Sequence, residues 1–260
     1  MNEPLPCHRT RLTRALRELL RVERELTAAG AERLGWAEAR TREIDAALTP
    51  AMALVELAMA GNAPVAPPPK PPVSSALPTT GRPIYRPLAA YALARSGWRG
   101  DGLLHEARRC ADPRSAVGVW WALTLQTLTG DDASLRALLE GQRPTGEFFD
   151  ASPYDSPDLH WYDELVVLHA AATFACHTGI GHDAVLRAAR FHTAETQPDH
   201  ATTQPWALHA FAVDDETYPL AELLLHGALA QNAGRLDRVA QLLLSDSILA
   251  LDAYTGRFSS

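Results

Sequence analysis

Between residues 8 and 48 apolar and charged positions alternate at helical spacing, with Leu12, Ala15, Leu19, Val22, Leu26 and Ala29 three or four residues apart and Arg and Glu between them. That spacing predicts an amphipathic helix with one apolar stripe seeking a partner. Past Ala29 the same register meets Arg33 and Arg40, and Gly30 and Gly35 weaken the helix. A sustained coiled coil is therefore not supported, whereas a hairpin turning at Gly30 to Gly35 would pack Trp36, Ile44 and Leu48 back on the first helix. From Gly61 to Pro87 the text holds nine prolines and no acidic residue. Proline at that density fixes φ and removes amide donors, so an extended linker is predicted. Residues 88–260 return to Ala- and Leu-rich helical patterning without β-branched runs of strand length. The expected class is all-α, in three parts: a helical association arm at 1–60, a Pro-rich linker at 61–87 and a helical domain at 88–260.

Within the last part the pattern repeats. Trp121-Ala-Leu-Thr-Leu leads to Thr129-Gly130, Asp132-Ala133 and Leu135-Arg136-Ala137, while Trp161-Tyr-Asp-Glu-Leu leads to Thr178-Gly179, Asp183-Ala184 and Leu186-Arg187-Ala188. A third, weaker copy runs from Trp206-Ala-Leu-His to Gly234-Arg-Leu-Asp-Arg. Each copy reads as helix, Gly turn, helix, with Gly ending the first helix in left-handed conformation and Asp132 or Asp183 capping the second. A hairpin with one apolar face must stack on its neighbours, which predicts an array of αα-hairpins.

Composition narrows the partners. A chain of 260 residues that is 47% hydrophobic and 21% charged has material for a proper core. Residues 101–260 hold ten basic against twenty-two acidic side chains, which would repel phosphate backbones and argues against nucleic-acid binding. The most apolar stretch, AMALVELAMA at 51–60, is too short to span a bilayer and contains Glu56, so no membrane role is expected. Three widely spaced cysteines make neither a disulfide framework nor a zinc ribbon. With no apolar signal-type segment at the N-terminus, the expectation is a cytoplasmic protein. The partners expected are a small molecule or a protein segment, with a homo-oligomer formed through the N-terminal helices.

Two long connections between hairpins carry the candidate chemistry, residues 141–165 and 191–211. Long loops in compact domains are commonly functional, and regular alternation would bring both to one end of the array. The first joins Asp158, His160, Asp163 and Glu164 to Phe148, Phe149, Tyr154 and Trp161. Carboxylates among aromatic rings suit a polyol or other polar ligand, with acids to move protons and rings to stack. The competing reading is that Ser and Asp make turns while Phe148 and Phe149 plug the core. The second supplies Glu195, His200, Trp206 and His209. Seven histidines fall between positions 160 and 209, at spacings that do not reproduce HExxH or paired-Cys metal sites, so no metal is expected and no cofactor is specified. His192 and Glu195 share one helix face at i,i+3, although a histidine ending a helix before Gln197-Pro198 is also favoured by the helix dipole alone.

The run GEFF, the Pro/Asp/Ser loop, the Trp-led DLHWYDELVVLHAAATFA and the later TQPWALHAFA make residues 141–211 resemble the repeats of the α/α-toroid superfamily, which includes squalene-cyclase and prenyltransferase repeats. The resemblance implies inner and outer helix rings around a cavity open at one end. No DxDD acid motif exists, Val213-Asp214-Asp215-Glu216 matching it only superficially, and the prenyltransferase zinc set is not recoverable. About 170 helical residues are too few for six hairpins of about 40 to 50 residues, so a partial toroid is expected. The leading functional expectation is a helical-repeat binding protein with an acidic, His- and aromatic-lined concave site. The alternative is a toroid-type enzyme acting on a carbohydrate or isoprenoid-like substrate by carboxylate acid/base chemistry.

Overall fold

The computed structural model describes residues 5–29, 39–61, 77–78, 81–196, 202–231 and 235–258, of which 5–7, 39–42, 231 and 258 by backbone only. His200, Trp36 and most of the proline-rich stretch lie outside the described residues. Every regular element among those described is a helix: α1 (Leu5–Ala28), α2 (Ala39–Leu48), a 3-10 turn (Thr49–Met52), α3 (Ala53–Ala60), α4 (Tyr85–Arg95), α5 (Asp101–Cys110), α6 (Ala116–Thr129), α7 (Ala133–Glu140), α8 (Pro157–Thr178), α9 (His182–Glu195), α10 (Leu208–Phe211), α11 (Tyr218–Gln231) and α12 (Arg238–Phe258). No helix among them is long and apolar enough to cross a membrane.

The amphipathic reading of α1 holds, with a shifted stripe. Leu12, Leu16 and Leu20 are buried, joined by Glu23, whereas Ala15, Val22 and Ala29 are exposed. The larger leucine side chains remove more apolar surface from water than Ala15 or Ala29 could, and that decides the register. Glu23 tolerates burial because Arg235 donates to both its oxygens at 2.9 and 3.0 Å and the Leu236 amide adds a bond at 3.1 Å. Arg17 reaches the Ala58 carbonyl at 3.2 Å and pairs with Asp252. The arm thus packs on α3 and α12, and its leucines belong to the same continuous core as the rest.

The two Thr-Gly turns share one geometry. Thr129 and Thr178 each donate to the carbonyl four residues back and accept from the amide two residues on. Gly130 and Gly179 follow at φ 82° and 78°, each amide closing onto the carbonyl four residues earlier. The expected Asp caps do not form: Asp131, not Asp132, takes the Ala133 amide, and Asp183 lies inside the first turn of α9, where Gly181 is the cap residue. The second turn has two residues more between Gly and helix-start Asp, which moves that Asp past the cap.

Helix α8 organises the molecule. Ser156 caps it by accepting from the Leu159 amide and Pro157 starts it with φ already helical. From Glu164 to Cys176 every residue is buried, as expected of a helix packed on all sides. It touches α6, α7, α9, α10 and α12, while α6 packs on α4, α4 on α3 and α3 on α12. Trp120, Trp206, Tyr91, Phe174 and Phe211 fill the interior these helices surround.

Candidate functional site

Two buried polar clusters hang on α8, and the predicted site residues divide between them. The first lies where the 141–156 connection crosses the start of α8. Gln142 fastens that connection, donating to the Gly146 carbonyl at 2.8 Å and to the Ala184 carbonyl of α9 at 2.9 Å, while Arg187 donates to its oxygen at 2.7 Å. A Cβ at Gly146 would stand 2.8 Å from the Arg187 carbonyl, so only glycine lets the connection lie this close to α9. The backbone then passes over Glu164: the Phe148 amide faces both carboxylate oxygens at 3.0 Å and the Phe149 amide reaches Oε1 at 2.6 Å. Nε2 of His160 stands 3.7 Å from Oε1 and Nε2 of His192 stands 3.8 Å from Oε2, all three side chains being almost wholly excluded from solvent. Burial alone would raise the Glu164 carboxyl, but His160, His192 and the Phe148 amide outweigh it and hold the group at about 2. The Glu164 charge in turn raises His160.

Around this floor the tyrosine ring of Tyr154 lies 4.9 Å from the His160 ring, and its hydroxyl donates to Asp163 at 3.1 Å. Asp163 is pushed above the usual carboxylate range by burial, with the neighbouring Glu164 charge adding to it. Phe148 is buried and Phe149 half-buried, in agreement with the plug reading rather than with rings offered to a ligand. Asp158 is exposed in the first turn of α8, Trp161 half-buried, and Glu195 exposed at the end of α9. Glu195 belongs to a recess of about 500 Å³ between the connection and the outer face of α9, lined by Pro144, Thr145, Arg187, Arg190, Phe191 and Ala194.

The second cluster is central. Asp246 of α12 accepts from the Tyr91 hydroxyl at 2.5 Å, from Thr173 at 2.6 Å and from Nε2 of His169 at 3.1 Å. Burial opposes its charge, yet His169 and Thr173 outweigh it and hold the group well below the usual carboxylate range. Nδ1 of His169 accepts the Ala207 amide at 3.0 Å, which puts the ring proton on Nε2, toward Asp246. Thr173 has given its hydrogen to Asp246, so it accepts from Nε2 of His209 at 3.1 Å, and Ser247 meets Nδ1 at 3.1 Å. His209 is pushed far down by burial and by the adjacent His169 and stays neutral. Ala207 holds φ 57°, the one non-glycine at positive φ among the described residues, and a strained residue in a buried site needs surroundings that over-determine it. Here the His169 bond and the fully buried Trp206 beside it do so.

His169, His209 and Asp246 are the described group whose ligand atoms lie within 4.8 Å of one another. Their hydrogen bonds nevertheless argue against a metal there. A cation on Nε2 of His169 would expel the proton that the Ala207 amide fixes there, or leave N–H facing N–H. The cluster works as a closed polar core linking α4, α8, α10 and α12. Trp206 and His209, predicted to face a ligand beside Asp158, are instead wholly buried in it. Asp246 and Tyr91 escaped the sequence reading, although an aspartate within LLLSDSILAL is the type of signal that marks a buried polar pin. Cys176 is a core residue whose thiol burial pushes up to about 12, so it is no nucleophile.

The chain matches no protein-family model, no curated protein and no solved structure in the three comparisons made.

Proposed function

We propose that this protein is a helical-repeat binding protein, and that its ligand, a small molecule or a partner segment, sits in the recess between the 141–156 connection and α9. The observation that carries the reading is the recess itself. It is large enough for a modest organic ligand, it offers the apolar faces of Pro144, Phe191 and Ala194 beside the charges of Arg187, Arg190 and Glu195, and it borders the connection fastened over Glu164. Apolar floor with a few charged groups at the rim is the composition of small-ligand sites in general. In architecture we read a partial α/α toroid: α3, α4, α6, α8 and α12 neighbour one another in closed order, with α5, α7, α9 and α1 outside. Its centre is filled by Trp120, Trp206 and the Asp246 network, which moves the ligand to the rim.

Ligand-observed NMR with a fragment mixture tests the site. Fragments should bind the native chain and lose binding in Ala194→Trp, which fills the recess from an exposed position and leaves the melting temperature in place. Fragments that bind both proteins equally, or none that bind the native chain, would refute it. One observation favours an enzyme as second reading: neighbouring carboxyls are pushed apart, Asp163 up and Glu164 down, as in acid/base pairs.

A further inference from the structure

Arg187, Arg190, Phe191, Ala194 and Glu195 recur along α9 at three- and four-residue spacing, which puts them on one stripe lining the recess with Pro144 and Thr145. Their charges are not equally answered. Arg190 is held by Asp214 at 3.0 Å and by Glu216 at 3.1 Å, so two carboxylates already satisfy it. Arg187 has no carboxylate partner among the described residues. Its side chain bonds the Gln142 oxygen at 2.7 Å, a neutral amide, and the rest of its N–H fork stays open. At the other end of the stripe the Glu195 carboxylate has neither an ion pair nor a hydrogen bond among the described residues. Glu195 is the last residue of α9, where the negative end of the helix dipole disfavours an anion and favours a cation. Between the open cation and the open anion lie the half-buried Phe191 ring and Ala194.

We propose that the recess takes a short linear peptide of three or four residues with both ends free, its carboxylate on Arg187 and its ammonium on Glu195. The assignment rests on the recess being the ligand site and adds the class of ligand. Arg187 and Glu195 stand eight positions apart, which is about 12 Å along the helix axis. A single amino acid carries its two charges within about 3.5 Å and cannot meet both, whereas three or four extended residues span about 10 to 14 Å. The Arg187 fork can give a carboxylate paired N–H bonds and still keep Gln142. An apolar side chain in the middle of the peptide would cover Phe191, Ala194 and Pro144 and remove apolar surface on both sides from water. Inorganic phosphate would answer Arg187 alone and a simple cation Glu195 alone. A peptide with free ends answers both, together with the apolar floor between them.

Titration of the full chain, followed by ligand-observed NMR, with Ala-Phe-Ala, its N-acetyl form, its C-terminal amide and free phenylalanine gives the test. Free Ala-Phe-Ala should bind, and either block, or shortening to phenylalanine, should weaken binding at least about 3- to 5-fold, the worth of one good ion pair at a surface. Arg187→Gln should weaken the free and N-acetylated peptides and leave the amide unchanged. Glu195→Gln should weaken the free and amidated peptides and leave the N-acetyl form unchanged. Both positions are exposed, so both variants should keep the native melting temperature, and the blocked peptides test the native chain without them. Blocked peptides that bind as tightly as the free one, or variants that weaken every peptide alike, would overturn the proposal. So would fragments that bind the native chain and are lost in Ala194→Trp while Ala-Phe-Ala does not bind, a result that keeps the recess as the ligand site and removes only the peptide. Binding of neither fragments nor peptide overturns both.

Discussion

Histidine 177 illustrates how burial and neighbours set a titration. Its ring is pressed down to about 4, first by desolvation and then by the Arg95 guanidinium, which lies 3.1 Å from Nε2. In the unfolded chain the same ring titrates near 6.5. Below that value the unfolded state binds a proton the folded state refuses, so stability falls as pH drops from about 6.5 toward 4. His177→Gln should therefore lose less stability than the native chain over that interval. Urea denaturation at several pH values measures the difference, and parallel curves for the two proteins would contradict it.

At the scale of elements, α1 carries the largest difference between pattern and packing. Spacing alone favours a stripe through Ala15, Val22 and Ala29, but the surface of α3 and α12 receives Leu12, Leu16 and Leu20. Leu16 is wholly buried, so Leu16→Ala should cost about 2–5 kcal/mol, whereas Val22→Ala, at an exposed position, should change stability by less than about 0.5 kcal/mol. Chemical denaturation of the two variants checks the register directly. Equal effects would restore the stripe the spacing predicts. The Thr-Gly turns behave in the opposite way. The glycine at positive φ in each follows from local chemistry and was legible in the sequence, whereas the Asp caps expected after it were not formed.

For the whole molecule the Asp246 network is decisive, because it joins α4, α8, α10 and α12 through one buried charge. Removing a single member leaves donors aimed at nothing in a dry interior. Asp246→Ala should cost about 3–5 kcal/mol. The core is continuous from Leu12 to Tyr254, so tryptophan fluorescence and helical circular dichroism should still report one coincident transition. Separate transitions for the two probes would mean that the arm and the remaining helices unfold independently.

What the amino-acid sequence determined by itself is the all-helical class and the ends of α6 and α8, because caps, turns and periodicity are decided by neighbours in the chain. Phe148 as a plug was readable on the same grounds. Only the tertiary structure decided that His160 and Glu164 meet His192, that His209 and Trp206 belong with Asp246, and that α1 buries Leu16 in place of Ala15. Each of these depends on which surfaces meet across long sequence separations, such as the 77 residues between His169 and Asp246. A pattern along one helix records that a face will be buried, and the partner surface selects which side chains fill it.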